Sequence, residues 1–122
     1  MPVIISDYDE ITGTATPTQL NVPVTVIEIT GSSGPYIVEG YIDVSSLLEG
    51  ETVEIVESVA VDGNNYRTFI KTRISGIVDE PAIRFHSKTL LSSMKYKVTI
   101  SQIAGTLRSF PFAFIRETLR VM

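Results

Sequence analysis

Apolar and polar residues alternate with a period of two along most of this chain, in short runs separated by turn residues. The clearest run is residues 51–75, ETVEIVESVAVDGNNYRTFIKTRIS. Two stretches of β-branched and apolar residues flank Asp62-Gly63-Asn64-Asn65, a signal for a β-hairpin. Centring the turn on Gly63-Asn64 sets the partners. Val53 faces Ile74, Ile55 faces Thr72, Glu57 faces Ile70 and Val59 faces Thr68 on the side suited to a core. Glu54 faces Arg73, Val56 faces Lys71, Ser58 faces Phe69 and Ala60 faces Arg67 on the other. The Glu54–Arg73 pair puts opposite charges across the strands, which favours this register.

The same period predicts further strands. Residues 19–30, QLNVPVTVIEIT, form one, with Pro23 at its start or on a sheet edge because proline donates no ladder hydrogen bond. Residues 36–44, YIVEGYIDV, form the next, and Gly40 marks a bulge or a close backbone approach. Residues 45–50 read as one helical turn ending at Gly50, with Leu47 or Leu48 plugging an end of the core. Residues 82–90 place Ile83, Phe85, Ser87 and Thr89 on one face and Arg84, His86 and Lys88 on a charged face. Residues 95–103 place Tyr96, Val98, Ile100 and Gln102 opposite Lys97, Thr99, Ser101 and Ile103. In residues 107–122, Phe110, Phe112 and Phe114 share one face, and Pro111 argues for an edge strand. Those three rings either fill one end of a core or form an adhesive stripe at an interface.

Seven to nine short strands with turn signals between them predict an all-β fold, a single antiparallel β-sandwich of jelly-roll or immunoglobulin-like type. Residues 19–122 make the sandwich. Residues 1–18 are an N-terminal strand or an extended arm, with the Thr- and Gly-rich residues 12–18 as its linker.

Composition narrows the chemistry. The chain has 122 residues, no cysteine and one histidine, His86. Disulfides and thiolate chemistry are thereby ruled out, and His86 reads as a surface residue with no identifiable catalytic partner. Asp7, Asp9 and Glu10 offer oxygen ligands, but without the glycine and distal glutamate of a calcium loop they read as a solvated turn. Residues 31–35, GSSGP, lack the lysine and the helix that a phosphate-binding loop requires. No catalytic residue, metal ligand or cofactor is expected, and the chain is read as a non-enzyme. No run approaches ~18 apolar residues, so no membrane span is expected. The first ten residues lack a basic segment and a long apolar run, so synthesis in a cytoplasm is expected.

Charge changes the picture most. Residues 1–66 hold eleven acidic residues and no lysine or arginine, whereas residues 67–122 hold all ten lysines and arginines against Asp79, Glu80 and Glu117. Two readings follow. Strands of the two halves pair within one sandwich and cancel locally, or the subunit presents an acidic and a basic surface suited to head-to-tail assembly. Under the second reading the interface candidates are Lys88, Lys95 and Lys97 against Glu39, Glu49 and Glu51, with Phe110, Phe112 and Phe114 as an apolar alternative. Basic residues spread along an acidic chain argue against a nucleic-acid partner.

Two stretches carry a resemblance: residues 41–67, YIDVSSLLEGETVEIVESVAVDGNNYR, and residues 95–112, KYKVTISQIAGTLRSFPF. Together they resemble small β-sandwich virion proteins of bacterial and archaeal viruses, of the decoration, minor-capsid or tail-accessory kind. The resemblance spans roughly residues 36–114 and implies a structural role in a virion, with copies of itself or another coat protein as partner. It supplies no active-site residue. The alternative is a carbohydrate- or surface-binding module, although the chain has no tryptophan and its tyrosines are spread over different strands.

Overall fold

The computed structural model describes residues 2–121. Met1, counted above with the N-terminal segment, and Met122, the end of the last predicted run, lie outside the described residues. Eight strands form: β1 (Val3–Ala15), β2 (Val24–Ile29), β3 (Tyr36–Asp43), β4 (Thr52–Ala60), β5 (Arg67–Ser75), β6 (Ala82–Leu90), β7 (Lys95–Ala104) and β8 (Phe110–Val121). β4 pairs with β5, β3 with β6, β2 with β7 and β1 with β8, each pair antiparallel. The chain is thus one long hairpin bent back over itself, with its tip between β4 and β5. Two more ladders, β3 with β8 and β4 with β7, complete two four-stranded sheets. Their orders are β1-β8-β3-β6 (the first sheet) and β2-β7-β4-β5 (the second). This nested pairing is the jelly-roll form of the sandwich, which resolves the choice left open by the sequence.

The core follows from the alternation. β3 turns Tyr36, Val38 and Ile42 inward, β4 Val53 and Ile55, β7 Tyr96, Val98 and Ile100, and β8 Phe110 and Phe114. Burying side chains of this size stabilises by about 1.5–3 kcal/mol each. Tyr36 keeps its hydroxyl satisfied by donating to the Met94 carbonyl at 2.7 Å, and burial pushes its pKa up to about 12. Residues 45–50 form two successive turns rather than a helical one, closed by Leu47 N to Val44 O and Glu51 N to Leu48 O, each 3.1 Å. Leu47 plugs the core, whereas Leu48 is exposed.

Four local features depart from simple alternation. The hairpin register matches the expected one from Val53–Ile74 to Glu57–Ile70, then shifts so that Ser58 meets Thr68 and Val59 meets Arg67. Phe69 is the extra residue, a bulge that the alternation does not reveal. A second bulge, in β6, lies where Glu39 faces two residues between the pairs Val38–Lys88 and Gly40–Phe85. It turns Lys88 to the inner face, away from the charged face expected for it. Gly40 sits at that bulge, and a Cβ there would collide with the Phe114 ring and the Ala113 carbonyl. Pro111, expected on an edge strand, lies on β8, between β1 and β3. It fits because the β3–β8 ladder ends at Phe112, so its missing N–H falls at the strand's start. The residues expected as a linker continue as strand as far as Ala15, and β1 is an edge of the first sheet.

Candidate assembly surfaces

The fold first decides which charges remain available. Among the described residues there are four ion pairs: Asp9–Arg116, Glu51–Arg108, Glu54–Arg73 and Glu57–Lys88. Each joins an acid of residues 1–66 to a base of residues 67–122. The tip of the long hairpin, residues 61–66, coincides with the point where the chain changes charge sign. Nested pairing therefore lays the acidic half along the basic half, and local cancellation follows from topology.

Two of the interface candidates are used up inside the subunit. Glu51 is 4% exposed. It accepts from Leu48 N at 2.8 Å, from Thr106 N at 3.1 Å and from Arg108 Nε and Nη2 at 2.9 Å. The Arg108 guanidinium and these amides hold its carboxyl at a pKa of about 2. Gln102 completes the knot, accepting from Arg108 N at 2.9 Å and donating to the Ala104 and Thr106 carbonyls. Lys88 points between the sheets, with Nζ 3.3 Å from Glu57 Oε1. The Tyr96 hydroxyl donates to the same carboxylate oxygen at 2.6 Å. Burial, and then this bond to a carboxylate, push the Tyr96 pKa up.

Of the other charged candidates only Lys95 and Lys97, two residues apart on β7, are neighbours. Glu39 is half-buried on the outer face of the first sheet, and Glu49 is exposed in the β3–β4 connection. Lys95 opens β7 opposite Ala60. Lys97 faces Glu28 across the β2–β7 ladder and lies 4.3 Å over the Tyr66 ring, while the Tyr66 hydroxyl donates to Glu28 at 2.7 Å. Phe110 and Phe114 are core residues. Phe114 packs 5.1 Å from Phe85, and Phe112 is half-buried against the core. No continuous surface unites the six charged candidates.

A different arrangement emerges at the sides of the sandwich. β1 touches β2, so these edge strands share one side, and β5 and β6 end the sheets on the other. β1 and β2 carry Asp7, Asp9, Glu10 and Glu28 and no base. β5 and β6 carry Arg67, Lys71, Arg73, Arg84, His86 and Lys88 and no acid. Each sheet thus runs from an acidic edge to a basic one. Pairing within the subunit covers only part of this charge: Asp7, Glu10, Arg67, Lys71 and Arg84 are exposed. They were missed in the sequence because strand order decides which strands become edges. The count of charges strand by strand carried the signal.

The outer face of the first sheet bears a shallow trough of about 460 Å³ that crosses all four strands. Its walls include Glu10, Glu39, Tyr41 and Arg84, and Ala113 keeps its floor low. Tyr41 is 52% exposed there. The remaining tyrosines of strands β3 and β7, Tyr36 and Tyr96, are buried.

No family model matches the chain, and no curated protein matches it. Among solved structures the chain is similar to one in the structure of the Gt strain of infectious bursal disease virus, with 10% identity and a TM-score of 0.42. The match covers 99% of this chain and 37% of that one, so this chain spans little more than a third of its length. The fold assignment rests on the strand pairing given above.

Proposed function

We propose that the chain is a non-catalytic structural protein of a viral particle, of the decoration or minor-capsid kind, acting by binding copies of itself or another coat protein. One observation carries the associating role: both sheets run from an acidic edge strand to a basic one, and each edge presents an unpaired ladder. Open edges are templates for pairing with another chain, and opposite charge on the two sides selects partners and orientation. The assignment to a particle draws on the resemblance of residues 41–67 and 95–112. The jelly roll serves capsid subunits, lectins and cupins alike, so the fold by itself does not choose among them.

Light scattering after size exclusion tests this reading. The protein is expected to form a defined oligomer or larger assembly at low ionic strength that dissociates with added salt, since the Debye length falls from about 10 Å at 0.1 M to about 3 Å at 1 M.

A carbohydrate- or surface-binding module is the second reading, favoured by the trough, where the Tyr41 ring stands beside two carboxylates and the Arg84 guanidinium. It expects a salt-indifferent monomer that retains glycans, with binding lost in Tyr41→Ala.

A further inference from the structure

We infer that the β1 edge of one copy adds to the β6 edge of the next, so that the first sheet continues from subunit to subunit head to tail. This rests on the self-association reading and specifies its contact.

Strand direction permits it. The first sheet has four strands in strict antiparallel alternation. Its first and last strands therefore run in opposite directions, and a copy placed beside it brings β1 antiparallel to β6. Charge selects this contact over its rivals. Two β1 edges meeting about a two-fold axis would set Asp7, Asp9 and Glu10 against their own copies. Two β6 edges would do the same with Arg84 and His86. Like charges directly opposite are destabilising, and only the β1–β6 combination joins acid to base.

The first sheet is also better built for it than the second. β1 is 13 residues long and regular from Asp7 to Ala15. β2 has only 6 residues, shifts register after Thr25 and follows Pro23, and its Glu28 is held by Tyr66. β5 bulges at Phe69.

Side-chain direction then sets the register. Glu10 and Arg84 both line the trough on the outer face, whereas Ile11 and Ile83 both pack against the core on the inner face. Placing Glu10 opposite Arg84 puts Ile11 opposite Ile83. At these two pairs charge meets charge outside, and apolar meets apolar inside. A head-to-tail contact of this kind closes into a ring or runs on as a filament, according to the rotation per subunit.

Cysteine cross-linking tests the contact directly, because the chain has no cysteine of its own. Within one subunit positions 10 and 84 lie three strand spacings apart, roughly 14 Å. That is beyond the ~7 Å Cα separation a disulfide spans. The double variant E10C/R84C is expected to give a ladder of disulfide-linked oligomers on oxidation at low salt, and neither single variant should do so. Charge reversal supplies a second arm. D7K/E10K and R84E/H86E should each weaken self-association by a factor on the order of 10–100 with an unchanged melting midpoint. Mixing them should restore assembly, because each then offers the other a complementary edge. A dimer linked through E10C alone would overturn the inference in favour of a two-fold β1 contact. Salt-sensitive oligomers with no ladder, and with both reversals harmless, would overturn it while leaving self-association in place. A wild-type chain that stays monomeric at every ionic strength would overturn both.

Discussion

Glu51 and Glu10 both belong to the acidic half of the chain, yet one is sealed inside the protein and the other stands on an open edge. Glu51 sits where the β3–β4 and β7–β8 connections meet, and Arg108 and the Leu48 and Thr106 amides satisfy it completely. Glu10 lies on β1, whose only neighbour in the sheet is β8. The difference comes from position along the long hairpin. Near the middle of each sheet, nested pairing gives a strand neighbours from the opposite half on both sides, and charges find partners. At the lateral strands one side has no neighbour, and charge accumulates. Half-to-half asymmetry in a jelly-roll sequence thus produces internal neutralisation and bipolar sides together, not one or the other.

The largest effect that separates the two regions is expected in the core. Phe114→Ala removes a buried ring that packs on Phe85 and covers Gly40. It should cost about 3–5 kcal/mol of stability, read by denaturant unfolding. If the three phenylalanines formed an exposed adhesive stripe, the loss would instead appear in self-association at nearly unchanged stability. Under the structure described here, folded Phe114→Ala molecules associate as the wild type does.

How far the sequence foretold this division depends on the range of each interaction. Alternation is local, so the strands, the inward set on β7 and the hairpin register as far as Glu57–Ile70 were legible. Bulges depend on the facing strand. A single extra residue in β6 reversed the face of Lys88, and one at Phe69 displaced the partners of Ser58 and Val59. Glu51 follows Gly50 at the start of the hairpin stretch and reads as a surface acid, one of the interface candidates. Its burial is set by Arg108, 57 residues away. The edge surfaces were hidden for the same reason, since β1 and β6 become edges only through pairing across most of the chain. The Glu54–Arg73 pair, at 2.8 Å, was legible because both partners flank one turn.

Acid should weaken the sealed region. Arg108 and the Leu48 amide hold the Glu51 carboxyl at a pKa of about 2, against 4.5 for the ordinary group. A depressed folded-state value means that the contribution is fully present above the unfolded value and is lost as pH falls through the folded one. Stability should therefore decline from about pH 4.5 towards pH 2. Glu51→Gln should lower the neutral-pH melting midpoint and flatten that decline. A Glu51→Gln curve parallel to the wild type between pH 4.5 and 2 would assign the acid sensitivity to other carboxylates.

The smallest effect concerns the turn where the acidic half gives way to the basic one. Gly63 has φ +81 and Gly76 has φ +71, and L-residues pay about 1–2 kcal/mol in this region. The two sites differ in crowding. A Cβ at Gly63 would lie 3.0 Å from the Ser93 carbonyl oxygen, whereas at Gly76 nothing stands within 4 Å. Gly76→Ala should thus lose the backbone cost alone, and Gly63→Ala should lose that and a further increment from displacing the β6–β7 connection. Neither change touches a charge on β1 or β6. Both variants should therefore melt earlier than the wild type while associating with the same salt dependence. If Gly63→Ala weakened association in proportion to its loss of stability, the lateral contact would depend on how the hairpin tip is held, and the division between a folding interior and associating edges would fail at that point.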